Sequence, residues 1–146
     1  MKESEVQAVL VAWFKLNGYD VTETYPLERG AKIDLVARSD KDEWRVEVKG
    51  DYDRNSAQYL VNFDTGIGQL LKSVTSLDAR ISYGIGLPIS RTERRERLSY
   101  RLVLPKYARS LAFEALNIHL LLVRDDGSVQ VIPPNQVRSY LGSIRG

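Results

Sequence analysis

Two short runs, Lys32-Ile-Asp-Leu-Val-Ala-Arg38 and Glu43-Trp-Arg-Val-Glu-Val-Lys49, constrain this chain more than any other part of it. Their apolar and polar residues alternate with period two, which predicts strands. Glu47 and Lys49 then point to one face, while Trp44, Val46 and Val48 point to the other. The polar stretch Ser39-Asp-Lys-Asp42 between them predicts a turn. Pairing symmetric about that turn sets Asp34 opposite Glu47, Val36 opposite Arg45, and Arg38 opposite Glu43. The last is an ordinary opposite-charge pair. Two carboxylates facing each other repel, and a cation between them relieves the repulsion. A lysine on the same face suggests that the cation is used for chemistry. The plainer alternative is a two-sided sheet whose outer face carries solvated charges.

Composition narrows which chemistry is open. At 146 residues, with no internal repeat or low-complexity segment, the chain fits a single domain over 1–146. Cysteine is absent, which excludes disulfides and thiolate zinc sites, and a cytoplasmic setting is the expectation. Histidine occurs once, at His119 in the apolar run Ile118-His-Leu-Leu-Leu-Val123. One histidine is too few for a two-histidine metalloprotease helix or another His-rich metal site. The expected role of His119 is a strand residue with a satisfied neighbour. A site built here uses carboxylates, Lys, Gln or Arg, and oxygen ligands favour Mg²⁺ or Mn²⁺ over zinc. The net charge of +2 permits a nucleic-acid partner without requiring one. No apolar run is long enough to span a bilayer, so no membrane association is expected.

The pattern along the chain predicts one α/β unit. Residues 3–17 have an amphipathic helical stripe ended by Asn17-Gly18. A strand is expected over 19–25, then the hairpin, then a loop with a helical turn over 50–63. Asp64 or Thr65 can cap a helix running through Gln69 to about Leu77. Ile81 to Leu87 is strand-like and is expected to end at Pro88. Pro105 is expected to open a helix ending near Leu116. Strands over 117–124 and 128–132 join through Asp125-Asp-Gly-Ser, and Asn135 is expected to cap a C-terminal helix. The pairs Gly66/Gly68 and Gly84/Gly86 lack the context of a dinucleotide site and read as turn or packing glycines. Arg91, Arg94, Arg95, Arg97 and Arg101 form a basic stretch suited to phosphate contacts. A solvated face with Arg–Glu pairs is the other reading of the same stretch.

The Asp34 and Glu47-Val48-Lys49 spacing resembles the PD-(D/E)xK nuclease superfamily, which includes restriction-endonuclease-like enzymes, Holliday-junction resolvases and RecB-type nuclease domains. Ile33 stands where the family usually has Pro. The resemblance implies an α/β fold with a restriction-endonuclease-like core. In it, a mixed central sheet and flanking helices follow the order αβββαβ, and an antiparallel hairpin carries the active site. It implies a helix-1 acid, Glu3 or Glu5. Taking ~100° per residue, Glu3 lies about 65° and Glu5 about 95° from the centre of the apolar stripe, so Glu3 is the first choice. It also implies Gln69 as a site residue, with Ser73 where a Tyr often follows. The activity implied is Mg²⁺- or Mn²⁺-dependent hydrolysis of DNA phosphodiester bonds. Asp34, Glu47 and the Val48 carbonyl would hold the metal, with Lys49 acting on water or on transition-state charge. Small members often act as homodimers or with partner subunits. A catalytically silent nuclease-fold module, binding nucleic acid or protein, is the alternative.

Overall fold

The computed structural model describes residues 1–52 and 56–144. Alternating strand patterns and amphipathic helices assemble into a mixed α/β fold, with helices covering both faces of a central sheet. In chain order come α1 (Glu3–Leu16), β1 (Asp20–Pro26), β2 (Lys32–Arg38), β3 (Glu43–Val48), α2 (Ser56–Lys72) and β4 (Ile81–Thr92). They reproduce the expected αβββαβ succession. β5 (Arg95–Leu98), α3 (Ala112–Ala115), β6 (Ile118–Val123), β7 (Val129–Ile132) and α4 (Pro134–Ser143) follow.

The strand order is β1-β2-β3-β4-β6-β7, with β5 paired to the far part of β4. The β1–β2, β2–β3 and β6–β7 pairs are antiparallel, whereas β3–β4 and β4–β6 are parallel. The hairpin register is the one read from the sequence: Val36 lies opposite Arg45 and Arg38 opposite Glu43. Arg38 Nε donates to Glu43 Oε1 at 2.6 Å.

Each face of the sheet has its own core. Val6, Leu10 and Phe14 of α1 pack on Leu35, Val46 and Val48. Phe63 and Leu70 of α2 share the other face with Tyr83, Ile85 and Leu87. The alternation in β4 shows why its glycines fall where they do. Gly84 and Gly86 alternate with the large residues, and a Cβ on Gly86 would come 2.6 Å from Leu10 Cδ1. These are packing glycines that let α1 close on the sheet.

Several boundaries differ from the sequence reading. Of the loop expected over 50–63, positions 53–55 lie outside the described residues. From Ser56 on the chain is helical, so Asp64 and Thr65 lie within α2 and cap nothing. The stripe Tyr59, Phe63, Ile67 and Leu70 drives this helix, since its i, i+3, i+4 spacing buries one face. It stops at Lys72, short of Leu77. β4 does not end at Pro88; the missing N–H is tolerated there, and the strand continues by pairing with β5. The helix expected from Pro105 is instead a 3-10 turn at Leu104–Tyr107 followed by the four-residue α3. Ser110 Oγ accepts the Ala112 N–H between them, a local bond that competes with a continuous helix. α4 begins one residue before Asn135, with Pro133 at its cap position and Pro134 in its first turn. No helix among the described residues is long and apolar enough to cross a membrane.

Candidate active site

The two strand ladders around Asp34 are both interrupted at that residue. Pairing with β3 stops at Leu35–Val46, and pairing with β1 skips from Leu35 to Ile33. The skipped partner, Thr24, has φ of 51°, a left-handed value uncommon for a β-branched residue. In place of a ladder bond, the Val48 N–H donates to Asp34 Oδ2 at 2.7 Å. The kink turns Ile33 toward the α2-side core while Leu35 stays under α1. Asp34 is thereby tied to the end of β3, beside Glu47.

Glu47 and Lys49 share a face, as strand alternation requires, and both are buried, with 3% and 5% exposure. Lys49 Nζ lies 3.8 Å from Glu47 Oε1 and donates to Gln69 Oε1 at 3.4 Å. Glu47 Oε2 is buried without a hydrogen-bond partner. Burial, and then the neighbouring Asp34 carboxylate, push the Glu47 carboxyl up to about 9, against the smaller opposing pull of Lys49. An unsatisfied buried oxygen next to a second carboxylate is costly unless a proton or a cation occupies the space between them.

Two glycines make this packing possible. A Cβ on Gly50 would lie 2.2 Å from the Glu3 backbone nitrogen and 2.6 Å from its Cα, so the end of β3 sits directly against the start of α1. That contact brings Glu3 to the site. Burial raises the Glu3 carboxyl, the Lys49 charge opposes the rise, and Asp34 adds to it. Glu5 does different work: its Oε2 accepts the Lys2 N–H at 2.6 Å at the start of α1. Of the two helix-1 acids, Glu3 therefore faces the cluster. Gly50→Ala is expected to cost about 1–3 kcal/mol, as overpacking does, measured by urea unfolding.

Gly66 performs the matching function on α2. A Cβ there would lie 2.6 Å from Lys49 Cε, so the lysine stem runs along the helix surface where Gly66 leaves room. Gln69, one turn on, meets its ammonium. Gly66→Ala gains helix propensity of about 1 kcal/mol, yet it displaces Lys49. Thermal unfolding should show little loss, while any phosphodiesterase rate should fall roughly 10- to 100-fold, as small misplacements do. Gly68, with nothing within 4 Å of an added Cβ, is the matched control. The sequence carried a signal for Gly66, a glycine inside an amphipathic stripe, but not its partner.

The remaining candidates lie elsewhere. Arg91, Arg94, Arg95 and Arg97 are exposed on the β4–β5 hairpin. Arg101 is half-buried and turned toward the Leu98 carbonyl, 3.5 Å away. His119 Nδ1 lies 3.1 Å from the Tyr83 carbonyl and 3.2 Å from that of Asn117, and burial lowers its pKa. It is a satisfied sheet residue.

Three solved structures share this arrangement of elements. An XisH family protein from Nostoc punctiforme has a TM-score of 0.54 at 17% identity, covering 88% of this chain and 98% of its own. An fdxN element excision controlling factor protein from Anabaena variabilis has a TM-score of 0.55 at 16% identity, with the same coverages of 88% and 98%. A protein of unknown function from Silicibacter pomeroyi has a TM-score of 0.53 at 10% identity, covering 99% of this chain and 83% of its own. The chain has the fold of these proteins. No family model and no curated protein matches its sequence.

Among the described residues, no group of three or more His, Cys, Asp or Glu is arranged to hold a metal ion. The donor set suits one kind of ion nonetheless. Mg²⁺ keeps most of its waters and needs only one or two carboxylates. Asp34 and Glu47, with the orphaned Glu47 oxygen, meet that requirement.

Proposed function

We propose that this protein is a divalent-metal-dependent nuclease that hydrolyses DNA phosphodiester bonds at the end of β3. The observation that carries the reading is the buried, partnerless Glu47 oxygen beside Asp34, with Lys49 on the same face. The resemblance to PD-(D/E)xK nucleases and the αβββαβ order support it. So does the name of the Anabaena variabilis neighbour, which concerns control of the excision of an element.

Asp34 and Glu47 would hold Mg²⁺ or Mn²⁺, and the Val48 carbonyl is available as a further oxygen. The bound ion supplies Lewis-acid polarisation of a phosphate oxygen and lowers the pKa of its water. The protein's own groups do the rest. The bond between the Val48 N–H and Asp34 fixes one carboxylate. Burial keeps Glu47 poised to exchange its proton for a cation. The Lys49 ammonium, held between Glu47 and Gln69, stabilises negative charge that grows on the phosphate oxygens in the transition state. Gln69 orients that ammonium and is free to turn its amide toward water or phosphate. Glu3, at the rim, faces the Lys49 charge and adds to the negative field that attracts a cation.

Mn²⁺ titration followed by thermal unfolding tests the binding half of this reading. A site that binds the native state alone stabilises it by about 2.7 kcal/mol at a hundredfold excess over Kd, and the unfolding temperature rises accordingly. Asp34→Asn keeps an acceptor for the Val48 N–H but loses the charge, and should abolish the shift. An equal shift in both proteins would place the ion elsewhere.

A further inference from the structure

The β4–β5 hairpin is a two-stranded ribbon, and its outer strand has an open edge. Among the described residues β5 pairs with β4 alone. The register gives each of its residues a direction. The Ser99 N–H donates to the Pro88 carbonyl at 3.3 Å. Bonded and non-bonded pairs alternate along an antiparallel ladder, so Leu98 opposite Ile89 and Glu96 opposite Arg91 are non-bonded pairs. The backbone groups of Glu96 and Leu98 therefore point away from β4. The Arg101 N–H takes the Leu98 carbonyl at 3.2 Å. The Glu96 N–H and carbonyl and the Leu98 N–H are left along the edge, and such groups are a template for a further strand.

A groove of about 470 Å³ follows this edge. All four residues of β5, Arg95–Leu98, line it, with Arg101, Leu102 and Ile144. Neighbouring strand residues point to opposite faces, so a groove that touches four in succession runs along the edge between the faces. The two sides differ in chemistry. Leu98 and Ile144 pack on the α2-side core, and Leu102 in the same groove is 52% exposed. Arg95 and Arg97, across from Thr92 and Ser90, project from the other face. Both are exposed, and neither they nor Arg101 makes an ion pair among the described residues. Glu96, the one acid of the groove, is held by Arg91 at 3.2 Å and by Arg124 at 3.0 Å.

An apolar side, a cationic side and open backbone groups between them specify an occupant. A strand laid along β5 sends alternate side chains to the two faces. One phase would meet Leu98, Leu102 and Ile144. The other would meet Arg95 and Arg97, whose charge is matched by Asp or Glu. We propose that the open edge of β5 docks an extended acidic segment of a partner protein, with apolar and acidic residues in alternation, as an added strand. Nucleic acid matches only the arginines. Aliphatic side chains are no platform for bases, which stack on aromatic rings, and a phosphate backbone has no amide groups to pair with Glu96 and Leu98. The inference stands on the hairpin's own geometry and does not depend on hydrolysis at Lys49.

The probe is a short fluorescent, acetylated peptide of alternating Leu and Asp, followed by anisotropy. Wild type should bind it, more weakly as salt rises. Arg95→Glu/Arg97→Glu should bind it roughly tenfold less tightly, and Leu102→Asp should weaken it by a similar factor. All three positions are exposed, so the fold tolerates both variants. The backbone part is tested without altering the protein. The same peptide N-methylated at every residue keeps its side chains but loses its donors, and should not bind. Full binding of the methylated peptide, unchanged affinity in either variant, or no binding of the parent peptide by wild type would each overturn the inference. So would a Ser–Asp peptide that binds as well as Leu–Asp, since charge alone would then explain the contact. A DNA oligomer that displaces the peptide and binds more tightly than it would make the groove a nucleic-acid surface and overturn the inference too. Self-association of wild type that blocks the peptide and is lost in Arg95→Glu/Arg97→Glu would seat a second copy there, with the same consequence.

Discussion

Lys49→Ala is expected to lower phosphodiester cleavage by roughly 10²- to 10³-fold, the usual effect of removing one preorganised electrostatic group from a water-poor site. The size follows from where the ammonium sits. It is 5% exposed, 3.8 Å from Glu47 and 3.4 Å from Gln69, so little water competes with it for a developing charge. The same variant should retain its Mn²⁺-induced thermal shift, because both carboxylates remain. Its metal binding should need a higher pH, since the Lys49 charge is what opposes the rise of the Glu47 pKa. Parallel measurement of rate and thermal shift separates these effects. Joint loss of both in a folded variant would mean that Lys49 supports the site's structure and not its chemistry.

Glu47→Gln should change how stability depends on pH. The native Glu47 carboxyl is raised from its ordinary 4.5 to about 9, so between those values the native state keeps a proton that the unfolded chain has released. Its contribution to stability is fully present below pH 4.5 and is lost as pH rises toward 9. Metal-free wild type should accordingly lose stability across that window relative to Glu47→Gln, whose side chain cannot ionise. His119, lowered by burial, works in the opposite direction but is common to both proteins. Added Mn²⁺ competes with the Glu47 proton, so its stabilisation of wild type should grow with pH. Glu47→Gln should show no such growth. Parallel pH profiles for the two metal-free proteins would mean that Glu47 is not held in this way.

Much of this site was legible because strand geometry is rigid. With the turn at Ser39–Asp42, the hairpin register sets Val36 opposite Arg45 and Arg38 opposite Glu43, and period two puts Glu47 and Lys49 on one face, though the ladder stops short of the expected Asp34–Glu47 pair. The acid on α1 was legible more narrowly. Helical phase favoured Glu3, but the close contact at Gly50 that brings it to the cluster has no local pattern. The start of α2 was placed too late because Asp64 and Thr65 offer cap chemistry inside the helix, while the tertiary burial of Tyr59, Phe63, Ile67 and Leu70 carries it back to Ser56. The kink at Asp34 was invisible as well, since a left-handed threonine is imposed by the assembled sheet and not by its own preference. The β4–β5 ribbon was read only as a basic stretch. Pro88 signalled a strand end, but its carbonyl still accepts the Ser99 N–H, and β5 continues the pairing past it.

The proposed metal-dependent phosphodiesterase site of Asp34, Glu47 and Lys49 stands or falls on DNA cleavage. Its most direct test incubates linear, nicked, branched and single-stranded DNA with the protein in Mn²⁺ and, separately, in EDTA, with Asp34→Asn alongside. Wild type should cut at least one duplex-containing substrate in Mn²⁺ and none in EDTA, and Asp34→Asn should cut none. Equal cleavage by the two proteins, or no cleavage of any substrate by wild type, would mean that Asp34, Glu47 and Lys49 do not form such a site.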